Sequence, residues 1–309
     1  MFHSSTQRKY WIFNDRNQLE EIRGKLNENY CRNFLEAYPN RSDVSFLSEE
    51  EEKTVLNYYQ AVLIDVSRKF QPPLPIAVTA TAIAYFKRFY LQTCVMDHPA
   101  KEMYLVCLYM ACKVEEYNLS VDAFMQILPP DRREKTKDFV LAHELLLMQR
   151  LKFHLTVHNP YRPMEGFMID LKTKLLRDGV SPEKWRTQAE DFLSQSLSTD
   201  VMLLYPPSQI ALAALLYASQ GSIRSYIVEN AGASAITKLE RVIEIVQCRN
   251  SLPSKATVKQ LEQKLKLCRN PEKNTDSKLF KQKRSDKTKS EEDFGVPENV
   301  IMEENGLDM

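Results

Sequence analysis

Apolar residues recur at intervals of three and four along most of the chain, and the stretches between polar breaks are of helical length. Leu19, Ile22, Leu26, Tyr30 and Phe34 set this rhythm in a helix expected from about Asn14 to Ala37, capped near Asn14. Residues 1–12 show no such period and read as irregular. Even so, Tyr10, Trp11, Ile12 and Phe13 are too apolar for a free tail and should pin the first helix to the body. Ser48 followed by Glu51 fits a capping box and opens a helix to about Phe70, which Gln71-Pro72-Pro73-Leu74-Pro75 stops. The pattern then changes. Over 76–116 two helices, joined by a short Asp97-His98-Pro99 break, are apolar nearly all round, which marks helices buried on every side. The first ends in Phe86, Lys87, Arg88, Phe89 and Tyr90. The second starts at Pro99, a residue suited to a first helical position, and runs through Met103, Val106, Cys107, Met110 and Ala111. It passes without transition into Lys113, Val114, Glu115 and Glu116, and a lysine emerging from so apolar a helix needs solvent or a carboxylate.

Ser120 next caps a short helix ending at Pro129-Pro130, and a long helix follows over about 134–152. His158 to Pro163 reads as a linker, since two prolines in four residues discourage helix continuation. After it the pattern begins again, with helices expected at about 163–176, 182–200, 206–219, 222–229 and 234–250, Ser181 capping the second of them. Pro207 to Ala218 is apolar all round, like its counterparts in the first half. Two five-helix units of similar length read as an internal structural repeat. The expected class is all-α. The expected layout is an N-terminal arm and helix over 1–47, a first unit over 48–157, a second over 158–252, and a C-terminal helix over 253–269. A charged tail follows over 270–309, expected to be disordered for want of apolar residues.

Composition narrows the functions open to such a chain. The 309 residues are 43% hydrophobic, enough to bury one core or two, and carry a net charge of +1. Seven glycines, with no GxGxxG, GxxxxGK[ST] or GxSxG, leave phosphate-cradling loops and the serine-hydrolase elbow unsupported. The six cysteines form no CxxC pair, and Cys107 and Cys112 read as small core residues in a reducing compartment. No apolar run has the length of a signal peptide or a membrane span, so the protein is expected inside the cell, off the membrane. Lys278, Lys281, Lys283, Arg284, Lys287 and Lys289 form a basic block in the tail. It reads equally as a nuclear localisation patch or as solvated chain, and the expected compartment is the nucleus. The tail nets −3, which leaves only about +4 on the rest and argues against direct nucleic-acid binding.

Little in the chain suggests catalysis. Glu115 and Glu116 are adjacent, so on a helix they point apart and make a poor acid–base pair. His143, His154 and His158 lie close in sequence, but no Cys or Asp stands at ligand spacing, so no metal and no cofactor is expected. One constellation suggests an interaction surface instead. Glu144, Met148, Leu151 and Leu155 fall at i, i+4, i+7 and i+11, one ridge of a helix headed by an acid. Were that helix a neighbour of the one ending at Lys113, Lys113 and Glu144 could rim one apolar patch. A Lys and a Glu so far apart in sequence are also commonly unrelated surface groups.

Three strings, YFKRFYL at 85–91, MACKVEE at 110–116 and HELLLMQRLKFHL at 143–155, together resemble the cyclin box, the five-helix unit of the cyclins. The resemblance spans about residues 8–268, as two tandem boxes with an extra helix at each end. YWIF at 10–13, HNPYRPMEGFMIDLKTK at 158–174 and LLYPPSQIALAALLYAS at 203–219 narrow it to the branch that serves the CDK-activating kinase. It implies a regulatory subunit, not an enzyme, that binds and activates the catalytic subunit of that kinase. Its further partners would be a RING-finger assembly subunit and the core of transcription factor IIH. The substrates implied for the complex are cell-cycle kinases and the RNA polymerase II C-terminal domain. On this resemblance Lys113 and Glu144 contact the kinase, and Val114, Met148, Phe153 and Leu155 supply the apolar part. A different transcriptional cyclin, with a different kinase, is the alternative. One departure stands out. Where S-phase and mitotic cyclins carry an MRxILxDW-like docking motif, this chain reads EEEEKTVLNYYQAVLIDV, which puts that mode of substrate docking in doubt. A DNA-binding cyclin-box protein of the transcription factor IIB type would need a zinc ribbon, and its cysteine pairs are absent.

Overall fold

The structure is a computed structural model that describes residues 2–41, 44–175, 181–249 and 251–271; the basic block and the expected tail from residue 272 onward lie outside the described residues. Among the described residues the regular structure is helical throughout, as the periodicity predicts. The chain opens with a turn of 3-10 helix over Phe2–Ser4, then α1 (Thr6–Tyr10) and α2 (Arg16–Ala37). Helices α3 (Glu49–Lys69), α4 (Ile76–Phe89), α5 (Ala100–Val114), α6 (Val121–Met125) and α7 (Pro130–Arg150) form the first five-helix unit. The second contains α8 (Tyr161–Leu175), α9 (Arg186–Ser196), α10 (Val201–Leu204), α11 (Pro207–Ala218), α12 (Arg224–Ala231) and α13 (Ala233–Gln247), and α14 (Lys255–Cys268) follows.

Local sequence explains most of these limits. The capping box at α3 is present in full: Ser48 Oγ accepts from the Glu51 amide and Glu51 Oε2 accepts from the Ser48 amide at 2.8 Å. Ser120 caps α6 as expected. Two expectations need correction. The stretch expected to be irregular over 1–12 holds regular structure over Phe2–Ser4 and Thr6–Tyr10: Ser5 Oγ accepts from the Arg8 amide and starts α1. A helix of five residues is too short to hold by itself, so its order comes from tertiary contacts, described below. The cap of α2 is Asp15, next to Asn14 as expected; its Oδ1 accepts from the Gln18 amide at 2.8 Å. The single helix expected over 182–200 is broken into a 3-10 turn over Pro182–Trp185, α9 and α10, and Ser181 makes no side-chain cap. Ser196 Oγ donates to the Leu193 carbonyl and Thr199 Oγ1 to the Ser196 carbonyl, the local bonding by which hydroxyl side chains compete with a helix ladder. The linker prolines are gentler than expected, since α8 begins at Tyr161 with Pro163 inside its first turn, where a missing N–H costs nothing.

Each unit is built around helices with no polar face. In α4 every residue from Val78 to Phe89 is buried, and in α5 every residue from Met103 to Cys112. In the second unit α11 is buried from Ile210 to Leu216. The α4–α5 pair anchors one core with Leu63, Phe124 and Leu147, while α11 anchors another with Met164, Phe192 and Val242. A third, smaller cluster of Leu19, Leu91 and Leu203 joins α2 to both.

Burying α4 from Val78 to Phe89 also buries two charges. The Lys87 ammonium donates to the Thr199 carbonyl and lies 3.6 Å from Asp200 Oδ1, just before α10. Asp200 also receives both terminal nitrogens of Arg23, from α2, at 2.9 and 3.1 Å. Burial alone would raise the Asp200 carboxyl, but Lys87 and Arg23 outweigh it and hold the group well below the usual carboxylate range. Burial pushes the Lys87 ammonium down to about 8 despite its carboxylate partner. One carboxylate therefore ties α2, the first unit and the second together.

Candidate functional site

The last turn of α5 sets the position of Lys113. The Tyr117 amide donates to the Cys112 carbonyl at 2.9 Å, with Glu116 in the left-handed region at φ 56°, so the helix stops abruptly once its buried face is complete. Lys113 thereby lies in the last turn, where a cation is favoured. Its Nζ donates to Glu144 Oε1 of α7 at 2.5 Å and sits 4.7 Å from the Tyr109 ring centroid. The Lys113 side chain is 43% exposed and that of Glu144 18%. The two residues that the sequence places thirty-one positions apart are a contacting pair at the protein surface.

Helix α7 carries the apolar part. Only Val140 and Leu147 of this helix are buried. Leu141 and Leu145, one turn apart, are exposed, and Met148 is half-buried against the first core. Leu141, Leu145 and Met148 form one ridge beside Glu144. The sequence reading passed over Leu141 and Leu145. Their signal was an excess of apolar residues in FVLAHELLLMQR over what one buried stripe requires.

The expected ridge from Glu144 to Leu155 does not survive beyond Leu151, which is fully buried. Helix α7 ends at Arg150, and Lys152 and Phe153 both adopt left-handed backbone, at φ 54° and 57°. The Phe153 amide then donates back to the Met148 carbonyl at 2.8 Å. The turn swings the chain off the helix axis, so Leu155 lies in the following loop, half-buried against the first core like Val114. Phe153 points the other way and is 61% exposed, a large aromatic offered to solvent by two residues in a conformation that L side chains rarely adopt.

The residues weighed for catalysis are dispersed. Glu115 Oε1 accepts from Thr81 Oγ1 at 2.6 Å, within the first unit, whereas Glu116 is exposed in its turn. His143 stacks on Phe139 of its own helix, and His154 and His158 face the N-terminal arm. Among the described residues no helix is long and apolar enough to cross a membrane.

Two successive helical units, each wrapped around all-buried helices, with a Lys–Glu pair beside an exposed apolar ridge on the first, define a cyclin-type architecture. The model of the cyclin N-terminal domain matches residues 29–156 and that of the cyclin C-terminal domain residues 159–270. A curated relative, Cyclin-H of Xenopus laevis, is 40% identical over 237 residues, covering 74% of this chain and 72% of its own length. The chain belongs to the cyclin family, in its cyclin H branch. Among solved structures, a chain of the CAK complex of Chaetomium thermophilum bound to ATP-gamma-S is similar, with a TM-score of 0.80 and 26% identity, over 96% of this chain and 97% of that one. A chain of yeast TFIIK, the Kin28/Ccl1/Tfb3 complex, is similar at a TM-score of 0.64 and 28% identity, over 79% of this chain and 99% of that one.

Proposed function

We propose that this chain is the regulatory cyclin subunit of a CDK-activating kinase: it binds the catalytic subunit, switches it on, and does no chemistry itself. The observation that carries the reading is the likeness to a chain of a CAK complex over nearly the whole length of both chains. A protein kinase is active when the Glu of its helix C pairs with the strand Lys that holds the ATP phosphates. A subunit that contacts helix C better in that placement than in any other shifts the kinase population toward it. In this reading Lys113 and Glu144 hydrogen-bond the kinase near helix C. Val114, Met148, Phe153 and Leu155, together with the exposed Leu141 and Leu145, supply the apolar contact. The two boxes take the bounds 48–157 and 158–252.

The further partners follow from the same likeness. The yeast TFIIK complex is a three-part assembly, and this chain is proposed to join an equivalent one with a RING-finger assembly subunit and the core of transcription factor IIH. Its substrates are then cell-cycle kinases and the RNA polymerase II C-terminal domain, and its place of work the nucleus. Affinity purification of the full chain, followed by identification of the bound kinase, tests the reading. Recovery of a CDK-activating kinase is expected, and purified kinase-free chain should transfer no phosphate from ATP. Recovery of a different cyclin-dependent kinase, or phosphotransfer by the chain alone, overturns it.

A further inference from the structure

The exposed Phe153 sits on a backbone that strains against its position. Lys152 and Phe153 are consecutive non-glycine residues at positive φ, a costly backbone for L side chains, so something must hold the turn closed. From beneath, α4 does so: Tyr85 Oη donates to the Leu155 carbonyl and Arg88 donates to the His154 carbonyl at 3.5 Å. From outside, the N-terminal arm does so. Trp11 Nε1 donates to His154 Nδ1 at 3.1 Å, and the Tyr10 ring stacks on the His154 ring at 4.9 Å. Gln7 grips the backbone at His158 with both ends of its amide: Nε2 donates to the carbonyl at 3.1 Å and Oε1 accepts from the amide at 2.7 Å. Both Gln7 and Trp11 are buried, though they belong to the first turns of the chain. The Arg88 guanidinium is buried too, 5.2 Å from the Trp11 ring centroid, with its Nε unpartnered, so the Trp11 ring is also its lid.

Among the described residues, the hydrogen bonds that tie Gln7 and Trp11 to distant parts of the chain thus end on residues 154–158, directly after Phe153. We infer that Gln7 and Trp11 are positioning residues for the kinase-facing turn 152–155, clamping it so that Phe153 stands outward before the kinase arrives. The inference rests on the proposed function, in which Phe153 meets the kinase. Its chemistry is preorganisation: a turn already held loses less conformational freedom when the partner binds.

The test is a kinase-binding titration of the full chain with a double-mutant cycle. Gln7→Ala removes the backbone grip; Trp11→Phe keeps a ring over Arg88 and removes only the N–H. Each should weaken kinase binding about threefold to tenfold, the range expected for one or two net hydrogen bonds, and amide exchange at 152–158 should quicken. The deciding readout is coupling. If Gln7 acts through Phe153, then Gln7→Ala costs little more once Phe153→Ala is in place. Full additivity would show that the arm contributes by some other route and overturns the inference while leaving the proposed function standing. Normal binding by Gln7→Ala overturns it likewise. Normal binding by Phe153→Ala alone removes the kinase-facing role of the turn, and this inference falls with it. Melting curves accompany each variant, and if Trp11→Phe does not fold, the Gln7→Ala cycle decides.

Discussion

Lys113 and Glu144 are already hydrogen-bonded to each other, at 2.5 Å, in the chain by itself. The pair bridges the end of α5 and the exposed face of α7 and leaves the lysine about half in solvent. An ion pair so exposed contributes about 0–1 kcal/mol to folding. Its value lies elsewhere: each partner holds the other's long side chain in place at the rim of an apolar ridge.

Reversing one charge should therefore separate binding from folding. Lys113→Glu or Glu144→Lys is expected to leave the thermal transition near wild type and to weaken kinase binding by about 2–5 kcal/mol, the cost of a desolvated charge facing the wrong partner. The exchanged double variant restores the pair internally, and its kinase binding should stay weak. Melting curves beside kinase titrations check this. A collapse of the transition in either single variant would mark the pair as structural.

Asp200→Asn should act in the opposite sense, on stability. It keeps the shape but leaves Lys87 and Arg23 against a neutral amide, and breaking a buried ion pair costs about 3–5 kcal/mol. The carboxyl is held below its ordinary value of 3.8, so its contribution is present at neutral pH and above. It is lost as pH falls below about 3.8 and the unfolded chain takes up the proton. Denaturant unfolding should show a lower midpoint for the variant at neutral pH and a smaller gap from wild type in strong acid.

The arm should loosen in mild acid. Burial lowers His154 below its ordinary value of 6.5, and the charges of Arg88 and Lys152 lower it further; burial does the same at His158, aided by the chain's N-terminus, Arg162 and Arg88. A group with a depressed pKa gives its full contribution above about 6.5 and loses it as pH falls through the folded value. Protonated His154 also cannot accept from Trp11. Amide protection in residues 6–11, taken relative to the intrinsic exchange rate at each pH, should fall as pH drops from about 7.5 to 5.5 in wild type, and less in His154→Gln, whose side chain can accept without titrating.

Leu19→Ala tests the small third core. Leu19 is fully buried against Leu91 and Leu203, so its truncation should cost about 2–5 kcal/mol, read from the denaturant midpoint. A loss below about 1 kcal/mol would mean that α2 is only laid on the surface.

How much of this was legible in the sequence depended on how local the cause was. The all-buried helices announce themselves because no period of polar residues interrupts Val78 to Phe89 or Ile210 to Leu216, and the Ser48–Glu51 box is contained in four residues. The order of α1 was hidden because its support comes from His154 and His158, some hundred and fifty positions away. The ridge through Leu155 failed because periodicity assumes that a helix continues, and nothing in LKFHL marks two consecutive left-handed residues that are not glycine. Lys113 and Glu144 could be suspected of meeting only through resemblance, since spacing cannot say which helices are neighbours. Lys87 and Arg88 read as the basic end of a helix, and their burial follows from a carboxylate and a tryptophan far off in the chain.

The single carboxylate shared by Lys87 and Arg23 bears on how such a duplicated chain comes apart. Two repeats with separate and unlinked cores would melt in two steps, the weaker first. Opening the second repeat here withdraws Asp200 from the buried Lys87 at the end of α4 and from Arg23 on α2, so the loss in one half is felt at once in the other two parts. The chain should unfold in a single calorimetric transition. By the same reasoning the first box made without the second would lose both the carbonyl of Thr199 and the carboxylate of Asp200 that hold Lys87, and duplicated architecture in this protein does not mean that either half can be had alone.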